Sequence, residues 1–279
     1  MQYSRRTIGA LASAVGFACS LITIAAQDPS RVVVEPVLES GQSVTGAFEG
    51  WYPNPDGTYS LLLGYFNRNS KETQEIPVGP ENRIEPGGPD QGQPTQFMPR
   101  RQWGVFRVVV PKDFGNKKLT WTIAANGQTT SVPMSLNPLW VIDPFKDAGN
   151  GNTPPVIKFE PDGPSFTGPA HGIAKTLAGK LSDALALTLW VSDDRPMRGG
   201  RGGASPPVFW SKFRGPGAVT FENARPPGDA QGKTSTTATF AAPGEYILRA
   251  QANDATGDGG GGFQCCWTNV HVKVNIRPD

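Results

Sequence analysis

Two adjacent cysteines, Cys265 and Cys266, are the residues of this chain most suggestive of redox or metal chemistry. They lie just after a run of glycines at 259–262, and the third cysteine, Cys19, falls in a predicted export signal. A Cys-x-x-Cys redox site needs two intervening residues, so the pair predicts no catalysis. In a regular strand the two sulfurs would point to opposite faces, whereas a turn-like strand entry would let them pair. Two interpretations therefore stay open: a vicinal disulfide, or one buried and one outward sulfur.

Four aspartates are the candidate metal ligands: Asp193, Asp194, Asp254 and Asp258. They follow predicted strands, and strand ends gather at the ends of a β-sandwich. Calcium takes about six to eight oxygen ligands, which carboxylates and backbone carbonyls could supply together. We predict no cofactor, with calcium as the alternative. Without calcium, these aspartates simply terminate strands.

Residues for hydrolytic catalysis are scarce. The chain has only two histidines, His171 and His271, and lacks the Gly-x-Ser-x-Gly sequence of a nucleophile elbow. His271 lies between Val270 and Val272, which predicts that its side chain points outward from a strand. We therefore predict a protein that is not an enzyme. The alternative is a secreted hydrolase-type enzyme whose site lies in the N-terminal domain.

Three aromatic residues flank a turn-forming segment at 53–57 and are the candidate binding residues: Trp51, Tyr52 and Tyr59. Exposed aromatic faces can stack on sugars or anchor a protein partner. The alternative is that Trp51 and Tyr59 pack against each other across a hairpin.

The elements that position these residues are β-strands. Glycine and proline are abundant, with 34 and 27 residues, which is typical of an all-β protein with many turns. In the C-terminal half, apolar residues alternate over 185–191, 246–252 and 270–276, which predicts half-buried strands of an antiparallel sandwich. Asn126-Gly127 predicts a two-residue hairpin turn in the N-terminal half. We predict two β-domains, at 32–145 and 156–277, joined by a polar linker at 146–155.

The C-terminal half resembles the Ig-like β-sandwich family that includes polycystin-type (PKD) and cadherin-like modules. The resemblance rests on the Val-Ser-Asp-Asp at 191–194, the Trp-Ser-Lys at 210–212 and the Ala-Ala-Pro-Gly-Glu-Tyr at 241–246. It implies an Ig-like sandwich and a non-catalytic spacer or binding unit of an exported bacterial protein. Tyr246 follows a Pro-Gly turn, so we expect its hydroxyl to bond back to the backbone as in a tyrosine corner. The N-terminal domain resembles no family with a known activity.

The first 26 residues predict export. Arg5 and Arg6 precede an apolar run that ends in Ala25-Ala26, as in a cleavable signal peptide, and residues 4–8 resemble a twin-arginine signal. An uncleaved membrane anchor is the alternative. Removing residues 1–26 leaves 24 basic and 24 acidic residues, so the mature chain has no net charge to attract nucleic acid.

We therefore expect a binding or spacer protein of the periplasm, cell surface or extracellular space. No later stretch is apolar enough to span a membrane, so the mature chain is predicted to have no membrane span. Its expected partner is a protein or polysaccharide at the cell surface. A structural subunit of a surface assembly is a further alternative.

Overall fold

The computed structural model describes residues 38–149, 151–194, 205–254 and 265–279. The predicted signal at 1–26 and Asp258 lie outside these ranges. Within them the regular structure is β-strand apart from one 3₁₀ turn at Pro138–Trp140, which confirms the all-β class. No helix in the described ranges is long and apolar enough to cross a bilayer. The strands are β1 (Val44–Pro53), β2 (Tyr59–Asn67), β3 (Gln74–Glu75), β4 (Asn82–Glu85), β5 (Gln96–Phe97), β6 (Arg100–Val110), β7 (Leu119–Ala125), β8 (Gln128–Met134), β9 (Val156–Lys158), β10 (Ile173–Lys180), β11 (Leu185–Ser192), β12 (Val208–Arg214), β13 (Val219–Phe221), β14 (Lys233–Phe240), β15 (Gly244–Asn253) and β16 (Trp267–Arg277).

The N-terminal half contains two three-stranded sheets and a two-stranded sheet of β3 and β5. The first sheet has the order β1–β2–β6 and the second has the order β4–β7–β8. Asn126 and Gly127 join β7 to β8 with φ values of 49° and 76°, so the predicted hairpin turn is confirmed. Trp121 is fully buried in the core of this half, where its ring meets Phe106 edge-to-face at 5.1 Å. The sheets therefore meet over an aromatic core.

The C-terminal half is a sandwich of two four-stranded sheets. The third sheet has the order β10–β16–β15–β12, and the fourth has the order β13–β14–β11–β9. The alternating apolar residues of β11, β15 and β16 form the core between these sheets, as the sequence predicts. The edge strand β10 runs parallel to β16, a pairing that the mixed sequence of β10 did not indicate.

Tyr246 stabilises the turn before β15. Its hydroxyl donates a 2.7 Å hydrogen bond to the carbonyl oxygen of Ala242, which confirms the predicted tyrosine corner. The tyrosine ring passes so close to Gly215 that a Cβ there would lie 2.1 Å from it. A glycine at 215 is therefore needed for the ring to reach its place.

The outer face of β16 is covered by the N-terminal half, and the prediction that the His271 side chain points outward is wrong. The residues of this face are between 1% and 8% exposed: Trp267, Asn269 and His271. The amide of Asn269 accepts a 2.8 Å bond from Arg249 and donates a 2.9 Å bond to the Gly104 carbonyl oxygen. Alternation identified a polar face correctly, but it could not reveal that polar groups of another sheet would cover that face.

Gly104 of β6 lets the two halves approach each other. Its φ is +50°, and an added Cβ would lie 1.9 Å from the indole ring of Trp267. Residues Val37–Asp279 form one compact unit that contains two large hydrophobic clusters, one in each half. The division into domains at 32–145 and 156–277 stays a prediction.

Candidate binding surface

The three aromatic residues singled out from the sequence lie around the β1–β2 hairpin. Trp51 and Tyr59 meet edge-to-face with ring centroids 5.4 Å apart, and both are half-buried against the core. Tyr52 is only 3% exposed and packs edge-to-face on Phe145. The rings thus make the packing contacts of the alternative interpretation, and the buried Tyr52 ring presents no free face to a ligand. The Trp51 indole also donates a 2.7 Å bond to the Asn137 carbonyl oxygen, which ties the hairpin to the segment after β8.

That segment carries an exposed apolar surface that the sequence reasoning missed. We call Leu139, Trp140 and Val141 the apolar ridge, and they are 90%, 49% and 51% exposed. Large apolar side chains grouped on a surface are typical of contact sites. The one signal in the sequence was a run of apolar residues at 138–142 with no polar alternation.

Local hydrogen bonds explain why the ridge faces outward. The Asn137 side chain accepts a 3.0 Å bond from the Leu139 amide and caps the short 3₁₀ turn. The Ile142 amide donates a 3.0 Å bond to the Trp51 carbonyl oxygen. The backbone is therefore attached to β1 at both ends of the ridge, and the apolar side chains between these anchors are left at the surface.

A groove of about 430 Å³ lies beside the ridge, between β1 and β8. Phe48 and Trp140 form one wall, with ring centroids 5.8 Å apart and planes inclined by 26°. Lys118 is exposed and is the one charged residue among those that line the groove. The lining residues are Gly46, Ala47, Phe48, Lys118, Val132, Pro133, Ser135 and Trp140. The arrangement can hold an apolar group beside one positive charge.

A second groove, of about 510 Å³, is lined by three glutamates, Glu72, Glu75 and Glu81. Glu75 forms a 2.6 Å ion pair with Lys212, whose side chain is 5% exposed. Glu72 accepts a 2.6 Å bond from the backbone amide of Gly41. Two of the three carboxylates therefore serve contacts between segments of the chain.

Three of the four candidate calcium ligands, Asp193, Asp194 and Asp254, follow strand ends at one end of the C-terminal sandwich, and Asp258 lies outside the described residues. Asp254 is buried and accepts a hydrogen bond from the Asn152 side chain, while Asp194 accepts a 3.1 Å bond from Thr153. Asp193 is half-buried just after β11. Among the described residues, no group of three or more His, Cys, Asp or Glu side chains is arranged to hold a metal. A calcium site that includes Asp258 stays an untested prediction.

Cys265 and Cys266 lie at the same end and are joined by a disulfide in the structure. β16 begins at Trp267, so the pair precedes the regular strand and the alternation that separates neighbouring side chains does not apply to it. Both sulfurs lie near the Asn152 carbonyl oxygen, at 3.9 and 3.5 Å, and both residues are buried. The pair thus contacts the segment that links the two halves.

The chain matches no protein-family model and no curated protein. Among solved structures it is similar to the D00–D0 domain of intimin, with 14% identity over 84% of this chain and 100% of that one, and a TM-score of 0.29. It is also similar to the adhesin InvE of Yersinia pseudotuberculosis, with 11% identity over 85% of this chain and 59% of that one, and a TM-score of 0.26. Tandem Ig domains of titin give 10% identity, 85% and 100% coverage, and a TM-score of 0.24. Scores of this size identify neither a family nor a partner.

Proposed function

We propose that this chain is an exported, non-catalytic binding protein that contacts its partner through the apolar ridge and the adjoining groove. The observation that carries the proposal is the exposure of Leu139, Trp140 and Val141 on a backbone that hydrogen bonds hold in place. An ordered apolar surface loses little conformational entropy on binding, so more of the contact energy becomes affinity.

The proposed setting is the periplasm, the cell surface or the extracellular space, with a cell-surface protein or polysaccharide as partner. Support for export comes from the signal-like residues 1–26, and the zero net charge of the chain that follows them argues against a nucleic-acid partner. The resemblance of the C-terminal half to PKD and cadherin-like modules is part of the same proposal. In this arrangement the C-terminal sandwich acts as the spacer and the N-terminal half as the contact surface.

The test compares residues 27–279 with a ridge variant, Leu139→Ser plus Trp140→Ala, on glycan arrays and on immobilised cell-surface protein. Val109→Ser is the matched control, because Val109 is 50% exposed but belongs to β6 rather than to the ridge. We expect the ridge variant to lose binding and the control to keep it, with both variants unfolding at the urea concentration of the parent. Equal binding by parent and ridge variant would refute the proposal, and so would turnover of a bound glycan or peptide.

A further inference from the structure

The two sheets of the C-terminal half have different surroundings on their outer faces. The outer face of the third sheet lies against the N-terminal half, where the Asn269 side chain donates a hydrogen bond to the Gly104 carbonyl oxygen. In the fourth sheet, β14 alternates between core residues and outward residues, and the outward residues Lys233, Ser235 and Thr239 are exposed. Within the described part of the chain, the outer face of the fourth sheet is therefore accessible to a ligand.

Trp190 lies on this face with one lysine on each side. In the register of the sheet, Trp190 is paired with Lys233 on β14 and with Lys158 on β9. Directly paired residues of neighbouring strands point to the same face. Neighbouring strands lie about 4.8 Å apart, so the Cα atoms of the two lysines are separated by about 10 Å. The half-buried indole lies between them, with its ring centroid 5.6 Å from the Lys233 ammonium group. The sheet thus places one aromatic ring between two cations.

Neither of these two lysines forms an ion pair with another described residue. None of the four strands of this sheet contains aspartate or glutamate. The Lys158 ammonium group donates a 3.3 Å bond to the Pro161 carbonyl oxygen. The nearby Asp229 carboxylate accepts a 2.9 Å bond from the Lys233 backbone amide instead of pairing with the ammonium group. Two positive charges therefore remain for an anionic ligand.

Hydroxyl groups lie next to Trp190 on the same face. Thr188 precedes Trp190 by two residues and so shares its face, and the Thr188 and Ser235 hydroxyls are 3.0 Å apart. A hydroxyl both donates and accepts hydrogen bonds, as the hydroxyls of a sugar require. The flat ring of a tryptophan offers an apolar surface on which a sugar ring can stack. At Trp190, β11 has a neighbouring strand on each side, so a peptide cannot add there as a further strand. The side chains of this face therefore favour a sugar over a peptide.

We propose that the outer face of the fourth sheet binds an acidic polysaccharide, namely a polymer of uronic acid. One sugar ring packs on Trp190, and carboxylates of the polymer pair with Lys158 and Lys233. A carboxylated sugar combines the ring, the hydroxyls and the negative charge for which this face has matching groups. The site lies in the C-terminal half, on residues separate from the apolar ridge, so this inference goes beyond the proposed function and does not depend on it.

The probes are two uronate polymers, polygalacturonate and alginate, and two comparison polymers. Methyl-esterified polygalacturonate keeps the sugar rings but lacks the charges, whereas polyglutamate keeps the charges but has no ring. Calorimetry in buffer free of divalent cations measures binding to residues 27–279. We expect the uronates to bind and the two comparison polymers to bind at least about tenfold more weakly, which corresponds to about 1.4 kcal/mol. Added salt should weaken the binding of the uronates because it screens exposed charges.

Substitutions assign the binding to this face. Trp190→Ala should weaken uronate binding at least about tenfold, and Trp190→Phe should restore part of it, because the smaller ring still stacks. Lys158→Gln plus Lys233→Gln should weaken binding and remove most of its salt dependence. Trp140→Ala is the matched control, since Trp140 is 49% exposed but belongs to the ridge, and it should bind uronates like the parent.

The inference is overturned if neither uronate binds, or if the ester or polyglutamate binds as tightly as polygalacturonate. Unchanged affinity of Trp190→Ala overturns it as well. Urea unfolding identifies a variant that does not fold, and if Trp190→Ala is one, unchanged affinity of the double lysine variant overturns the inference instead. The ridge variant should keep its affinity for uronates, so the proposed function is tested on proteins and uncharged glycans. Failure of either proposal therefore leaves the other standing.

Discussion

His271 makes the stability of the junction between the two halves depend on pH. Its ring packs against Phe213 at 4.2 Å between centroids. Burial is the main cause that lowers the pKa of His271 to about 3, and the nearby cations Arg249 and Arg214 lower it further. A backbone hydrogen bond with Val105 acts in the opposite direction but is outweighed. The folded protein therefore holds this imidazole neutral.

The sign of the effect follows from the two pKa values. The unfolded chain takes up a proton at His271 near its ordinary value of 6.5, whereas the folded chain does not do so until about pH 3. The unfolded state thus binds more protons between these values, and the free energy of unfolding falls as the pH is lowered through 6.5. At pH 5 the solution is about 1.5 units below the pKa of His271 in the unfolded chain. At about 1.36 kcal/mol per unit, protonation of His271 then stabilises the unfolded state by about 2 kcal/mol.

Urea unfolding at pH 7.5, 6 and 5 measures this loss. His271→Gln removes the titrating group, so we expect its free energy of unfolding to change about 2 kcal/mol less than that of the parent between pH 7.5 and 5. His171→Gln is the matched control, since His171 is the other histidine and is exposed. It should keep the pH dependence of the parent. If the three proteins respond to pH alike, His271 is not held neutral and the assignment is wrong.

Two further substitutions test the packing. Gly104→Ala should lower the free energy of unfolding by about 2–5 kcal/mol, because a left-handed backbone costs about 1–2 kcal/mol and the clash with Trp267 about 1–3 kcal/mol. The control is Gly127→Ala, which has φ +76° and open space around it and should show the backbone cost alone in urea unfolding. Equal losses in the two variants would rule out the clash. Tyr246→Phe removes the hydroxyl that bonds to Ala242 and should lower the unfolding free energy by about 1 kcal/mol, whereas an unchanged value would show that this bond adds no stability.

Local patterns in the sequence were enough to predict much of the C-terminal sandwich. The alternating leucines of β11 and the Pro-Gly-Glu-Tyr turn before β15 have short-range physical causes, namely one-sided burial and turn geometry. The ridge and the junction depend instead on contacts between distant segments. Asn269 and His271 look like surface residues because their partners, Gly104 and Phe213, lie far from them in the sequence. No local pattern indicates a polar face that becomes buried only when another polar face covers it.

The segment predicted as a linker between the halves is held by contacts on several sides. The Asn152 side chain bonds to Asp254, its carbonyl oxygen lies against the disulfide, and the Pro155 carbonyl oxygen accepts a 2.5 Å bond from Thr268. A linker of this polar, glycine-rich composition would be flexible if it were free in solvent. Because Thr268 of β16 makes one of these contacts and Trp267 and Asn269 of β16 pack on Gly104, the segment and the junction constrain the same strand. If a partner binds at the apolar ridge, as we propose, these contacts would hold it at a fixed distance from the C-terminal sandwich, as the proposed spacer role requires.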